Sequence, residues 1–234
     1  MLRYTRSAFA TRRVVTTLAL ALAVACAPLL ANGREGGGEV TVLADGAKAE
    51  ASALFGAAYA RRDVRANTYT SSTQDSAALA LDAAGRVVLA WQSKRQEVDG
   101  SLGIYAQRFD ARGERLGAEV HVNLTARGMQ SRPVIALASD GAAWIAWESF
   151  GQDGEQGGIV ARRLDSGLAR GTNELLVNEA RAGHQSEPSI ACDSAGRALI
   201  AWTSPSAQGR SRSVFARCFA ADGSPLDAAF EVGG

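Results

Sequence analysis

Three tryptophans stand in one short frame, A-W-x-S: Trp91, Trp147 and Trp202. A flat aromatic face repeated at a fixed interval is the kind of group that stacks on a sugar ring, and it is also the kind that fills a core. The neighbours decide between the two. Leu89, Ile145 and Ile200 alternate with these tryptophans on one face, and Ala90, Ala146 and Ala201 occupy the other. A strand apolar on both faces belongs inside stacked sheets, so core packing is the expected role. Trp144 has no equivalent, since Val88 and Leu199 hold its column, and reads as a local packing choice.

The other reactive side chains form no recognisable constellation. His121 and His184 fall in different columns, and neither has a partner at metal-ligand spacing. The acidic loops Glu97–Gly103 and Gln152–Gly158 lack the alternating oxygen ligands of a calcium loop and read as solvated hairpin turns. No serine or cysteine has a companion histidine, and no pair of carboxylates stands out as a glycosidase would need. The expectation is a chain that is not an enzyme, with no catalytic, cofactor-binding or metal residue.

Cys26 is the one candidate for modification. Arg3, Arg6, Arg12 and Arg13 precede an uncharged run from Val14 to Ala31, the order of an export signal. Ala23–Cys26 (AVAC) resembles a bacterial lipobox, in which the cysteine would be lipidated, although leucine usually stands where this chain has Ala23. Cleavage near Ala31 or Asn32 is the other reading, and a retained membrane anchor a third. Residues 1–31 are thus a signal, and localisation is exported, at the cell surface, in the periplasm or secreted. Any membrane contact would run through a lipid. The whole chain has 25 basic and 24 acidic residues, and loss of the first 25 residues leaves 21 against 24. That balance makes no electrostatic case for a nucleic-acid partner.

The elements that hold these residues are repeated. Asn67, Asn123 and Asn178 each stand seven residues before a glutamine, at Gln74, Gln130 and Gln185. Ala106, Ala161 and Ala216 recur likewise, and every step is 55 or 56 residues. A period near 50 signals a repeat architecture. Each unit reads as four short strands. One turn column carries Gly85, Gly141 and Gly196, and a later one Gly113, Gly167 and Gly223. Such units are antiparallel meanders. A bulky face on one sheet and an alanine face on the next allow blades to pack around an axis. The expected fold is all-β, a β-propeller-like arc of three blades (68–123, 124–178, 179–234) within a domain at 63–234. Asp63–Gln74 matches Glu119–Gln130, which adds a leading strand from a preceding blade. Residues 32–62 are a linker and degenerate segment, in which Ala49–Arg62 is also compatible with a short helix.

Gly103–Asn123 (GIYAQRFDARGERLGAEVHVN), with the Q-x-x-P-x-I-A…G…AWxS frame, resembles a propeller-type repeat of large secreted bacterial surface proteins. The resemblance covers about Asp63 to Gly234. It implies an exported, blade-forming protein and brings no catalytic residues. The function expected first is a binding or adhesion module for an unknown protein or carbohydrate partner. A lectin-like carbohydrate-binding propeller and a fragment of a glycoside-processing propeller enzyme are the alternatives.

Two structural expectations complete the reading. Cys192 and Cys218 fall on first and third strands, about 9.6 Å apart, too far for a disulfide. Three blades leave two unlike apolar ends. Residues 39–62 covering one end, head-to-tail homo-oligomers, or a longer parent protein would each resolve this.

Overall fold

The computed structural model describes residues 64–154, 156–205 and 211–232. The expected leader, Cys26 and the segment 32–62 lie outside the described residues. Among the described residues, twelve strands form three antiparallel four-stranded meanders. Blade 1 contains β1 (Gln74–Leu81), β2 (Val87–Lys94), β3 (Leu102–Phe109) and β4 (Arg115–His121). Blade 2 contains β5 (Gln130–Leu137), β6 (Ala143–Ser149), β7 (Gly158–Leu164) and β8 (Leu175–Leu176). Blade 3 contains β9 (Ser186–Cys192), β10 (Ala198–Pro205), β11 (Arg212–Phe219) and β12 (Phe230–Glu231). The strands β1, β5 and β9 lie against one another, so they form the inner edge of the arc.

Each joint between blades mates a bulky face with a small one. Ile145 and Trp147 of blade 2 pack on Val88, Ala90, Ile104 and Ala106 of blade 1. Ile200 and Trp202 of blade 3 pack on Ala146, Ile159 and Ala161 of blade 2. Trp91, Trp147 and Trp202 are 4%, 0% and 2% exposed, so the repeated tryptophan is a core residue. Trp144 is fully buried too; its indole N–H donates to the Gly196 carbonyl at 3.0 Å and its ring tilts against Phe219.

The turns follow from local chemistry. Gly85, Gly141 and Gly196 have φ of +76°, +80° and +77°, a region open to glycine at no steric cost. At the turn between β7 and β8 the expectation of Gly167 fails. Leu168 takes the left-handed position at φ +58°, because its side chain is buried in the joint with blade 1. Cys192 on β9 and Cys218 on β11 are not bridged, and β10 lies between them.

The recurring asparagine and glutamine fix the end of each blade and the link that follows it. The Asn123 Oδ1 accepts the Ile104 amide at 2.6 Å, and the Asn178 Oδ1 accepts the Ile159 amide at 2.7 Å. Both side-chain amides then donate to the carbonyl two residues on, in Thr125 and Ala180. Gln130 and Gln185 each donate to the carbonyl three residues back. Of Asp63–Gln74, the segment expected to bring a leading strand into blade 1, only Asp63 lies outside the described residues. Val64–Thr73 contains no strand, yet Asn67 makes the same bond, to Tyr69 at 2.6 Å.

Candidate functional site

At the start of each inner strand, two residues after the recurring glutamine, the backbone bulges. Ser76, Arg132 and Glu187 have φ of +51°, +52° and +57°. None is glycine, and left-handed backbone costs such residues about 1–3 kcal/mol. A side chain of the preceding blade holds it in two of the three. The Arg132 amide donates to the Gln92 Oε1 at 2.9 Å, and the Glu187 amide donates to the Glu148 Oε1 at 2.8 Å. Gln92 also donates to the Asp75 carboxylate, and the Arg132 guanidinium stands 3.5 Å from Glu148.

The result is a continuous polar arc along the inner edge, Asp75–Gln92–Arg132–Glu148–Glu187, crossing all three blades. Asp75, Arg132 and Glu187 face solvent, while Glu148 is buried beneath them. Carboxylates, an amide and a guanidinium on a fixed frame can donate to and accept from neighbouring hydroxyls at once.

A second cluster lies in blade 1. Glu97 is 6% exposed and Asp153, its counterpart in blade 2, is 3% exposed. The expectation of solvated acidic turns is therefore corrected: both carboxylates fold inward. The reason is a glycine at the start of the third strand in each blade. A Cβ on Gly103 would stand 1.7 Å from the Glu97 Oε1, and one on Gly158 would stand 2.9 Å from the Asp153 Oδ2. In blade 3, Ser213 replaces the glycine, and its partner column at Gln208 lies outside the described residues.

The Glu97 Oε1 receives His121 Nε2 at 2.6 Å, the Tyr105 hydroxyl at 3.3 Å and the Asn123 amide at 3.4 Å. The imidazole of His121 stacks on Tyr105 with centroids 4.9 Å apart. Burial, and then the Glu97 charge, push the Tyr105 phenol well above its ordinary value. His184 is elsewhere, on the link into blade 3 beside Phe150. Neither the bulges nor the His121–Glu97 pair was anticipated. A signal existed for the carboxylates, since both stand six residues after the repeated tryptophan with a glycine following. None existed for the bulges.

No family model and no curated protein matches the sequence. Solved structures are similar in fold, at low identity. An endo-arabinase from Bacteroides thetaiotaomicron VPI-5482 is 15% identical with a TM-score of 0.42, over 64% of this chain and 59% of that one. A fucose lectin from Kordia zhangzhouensis is 17% identical with a TM-score of 0.40, over 68% and 98%. The catalytic domain of a GH62 α-L-arabinofuranosidase from Coprinopsis cinerea is 9% identical with a TM-score of 0.42, over 67% and 50%. The chain thus spans under two thirds of the length of the endo-arabinase. The three four-stranded meanders packed face to face are themselves a β-propeller-like arrangement. Two of the three solved structures are glycoside hydrolases, which corrects the expectation of a non-enzyme. A missing catalytic pair in the sequence does not exclude hydrolysis.

Proposed function

We propose that this chain is an exported carbohydrate-recognising propeller whose ligand lies across the inner edge of the blades. One observation carries the reading. Three non-glycine residues in the same column of successive blades hold left-handed backbone, and two of them aim a charged side chain outward. Strain of this kind is retained where surrounding structure over-determines it, and it concentrates at ligand-binding positions. The arc supplies planar polar groups rather than an apolar pocket, which suits a polyhydroxylated ligand. Export, through the segment 1–31 with or without lipid on Cys26, would bring the chain to polysaccharide outside the cell.

A second reading, glycoside hydrolysis, is favoured by the three carboxylates of the arc. Asp75, Glu148 and Glu187 come from three blades, and hydrolysis needs an acid and a second carboxylate across the bond. The test is a glycan array that includes arabinan oligosaccharides and fucosides, followed by titration and hydrolysis assays on any ligand found. Arg132→Ala and Glu187→Gln should each weaken binding at least about tenfold, near 1.4 kcal/mol, with an unchanged melting temperature. Loss of turnover with retained binding in Glu187→Gln would favour the hydrolase. No binding and no turnover on any glycan would overturn both readings.

A further inference from the structure

Beside the inner-edge arc stand two rings that the repeat does not require. The β5–β6 ladder runs one residue past Ser149, since the Phe150 amide donates to the Met129 carbonyl at 2.9 Å. Phe150 is 49% exposed there. Its ring is tilted by 48° to the imidazole of His184, with centroids 6.2 Å apart. Three residues after the repeated tryptophan, the other blades carry Lys94 and Pro205. In the column of His184 they carry Thr73 and Met129. Blades therefore pack without a ring at either position, and the two rings meet at the joint between blades 2 and 3.

The imidazole is held in place. His184 pairs with Gly157 in an isolated bridge, and the Gln185 amide donates to the Gly157 carbonyl at 2.9 Å. A Cβ on Gly157 would stand 2.4 Å from the His184 Nδ1, so the ring fills space that a side chain at 157 would take. The Arg212 guanidinium donates to the His184 carbonyl at 3.2 Å and to the Ser186 hydroxyl at 2.6 Å. Nδ1 is closed in without a hydrogen-bond partner among the described residues, which leaves Nε2 as the nitrogen a ligand can reach.

Two contacts align the rings with the arc. The Glu148 Oε1 accepts the Glu187 amide at 2.8 Å. Two residues further along the same chain, Phe150 meets His184, three residues before Glu187. Side chains two apart on an extended strand share a face and stand about 7 Å from each other. The rings and the arc are thus neighbours with different chemistry. One offers flat apolar surface, and the other offers charged and amide groups. A sugar has use for both. Its C–H groups suit the negative face of an aromatic ring, and its hydroxyls suit planar donors and acceptors.

We propose that Phe150 and His184 form an aromatic subsite that stacks on the C–H face of one sugar residue while Glu187 and Arg132 bond the hydroxyls of the next. The inference rests on the carbohydrate reading and narrows it. The ligand is an oligosaccharide of at least two residues, read across the joint between blades 2 and 3.

The test takes each glycan bound on the array and titrates its mono-, di- and trisaccharides. Affinity of the unaltered chain should rise at least about tenfold from the monosaccharide to the disaccharide. Phe150→Leu keeps an apolar group but removes the flat face, and should cancel that rise. Phe150→Tyr should keep it, and both variants should melt like the unaltered chain. Equal affinity for mono- and disaccharide would overturn the subsite, as would a rise that survives Phe150→Leu. If Arg132→Ala still weakens binding in that case, the arc stands as the site and only the subsite falls. No binding to any glycan would remove the carbohydrate reading and the subsite with it. Light scattering addresses another occupant of an exposed ring, a second copy of this chain. A dimer that Phe150→Asp splits would assign the rings to that copy and overturn the proposal.

Discussion

His121 Nε2 stands 2.6 Å from the Oε1 of Glu97, a carboxylate buried beneath a loop that looks, residue by residue, like a solvated turn. The same oxygen takes the Tyr105 hydroxyl and the Asn123 amide. Asn123 in turn accepts the Ile104 amide at 2.6 Å. One carboxylate thereby joins the β2–β3 loop, β3 and the end of β4 into a unit at the rim of blade 1.

Glu97→Gln should therefore lower stability by about 2 kcal/mol, since charge-assisted bonds to three donors become neutral or are lost. It should also let the Tyr105 phenol ionise at lower pH, which an ultraviolet titration would detect. In the unaltered protein, burial and then the Glu97 charge raise that phenol above its usual 10.0. The folded chain then keeps a proton that the unfolded chain releases, so stability is complete below pH 10 and falls as pH rises beyond it. Melting temperatures that stay level above pH 10 would refute this account.

Asn178→Ala should cost about 1–3 kcal/mol, because the Ile159 amide is buried and loses its only side-chain acceptor. The same change at Asn123 should cost a similar amount, measured by urea denaturation. If Asn178→Ala were neutral, the repeated asparagine would need an explanation outside the fold.

Much of the architecture was legible because a repeat reports its own constraints. The tryptophan column, the alanine column and the turn glycines each hold one kind of residue for one steric reason. Asparagine and glutamine were visible as columns but not as bonds, since nothing in their spacing says which amide they meet. Glu97 and Asp153 were misread because acid and glycine in a short loop usually mean solvent. Here Gly103 and Gly158 lie across the strand boundary and open the space for them. The bulges at Ser76, Arg132 and Glu187 left no trace, because three unrelated side chains share one backbone conformation, which at Arg132 and Glu187 is held by a side chain of the preceding blade. Chemistry that depends on contact between blades is not written in any one unit.

Acid should weaken the protein through its turn aspartates. Asp110 accepts the amides of Glu114 and Arg112, and Asp140 accepts the Ala142 amide and pairs with Arg163. Those backbone bonds, foremost Glu114 for Asp110 and Ala142 for Asp140, hold both carboxyls below the ordinary 3.8. Groups lowered on folding contribute stability above pH 3.8 that is lost as pH falls through their folded values. Melting temperature should be level from pH 7 to about 5 and should then drop towards pH 3. Asp140→Asn should flatten part of that drop.

Trp147 and Trp144 occupy opposite faces of β6 and separate packing from ligand contact. Trp147 fills the joint with blade 1 and donates its indole N–H to the Gln130 Oε1 at 2.8 Å. Trp147→Ala should cost about 3–5 kcal/mol, the range for truncating a buried aromatic. Trp144 fills the joint with blade 3, where the equivalent residue in that blade is Leu199. Trp144→Leu keeps an apolar group in place but strands the Gly196 carbonyl, and should cost about 1–3 kcal/mol. Thermal melts and glycan titrations on the same samples give the decisive comparison. If both tryptophans are core, any loss of binding will follow the melting temperature and recover on cooling below the transition. A Trp147→Ala protein that melts like the unaltered chain yet fails to bind would make the repeated tryptophan a ligand platform and would displace the inner-edge arc as the site.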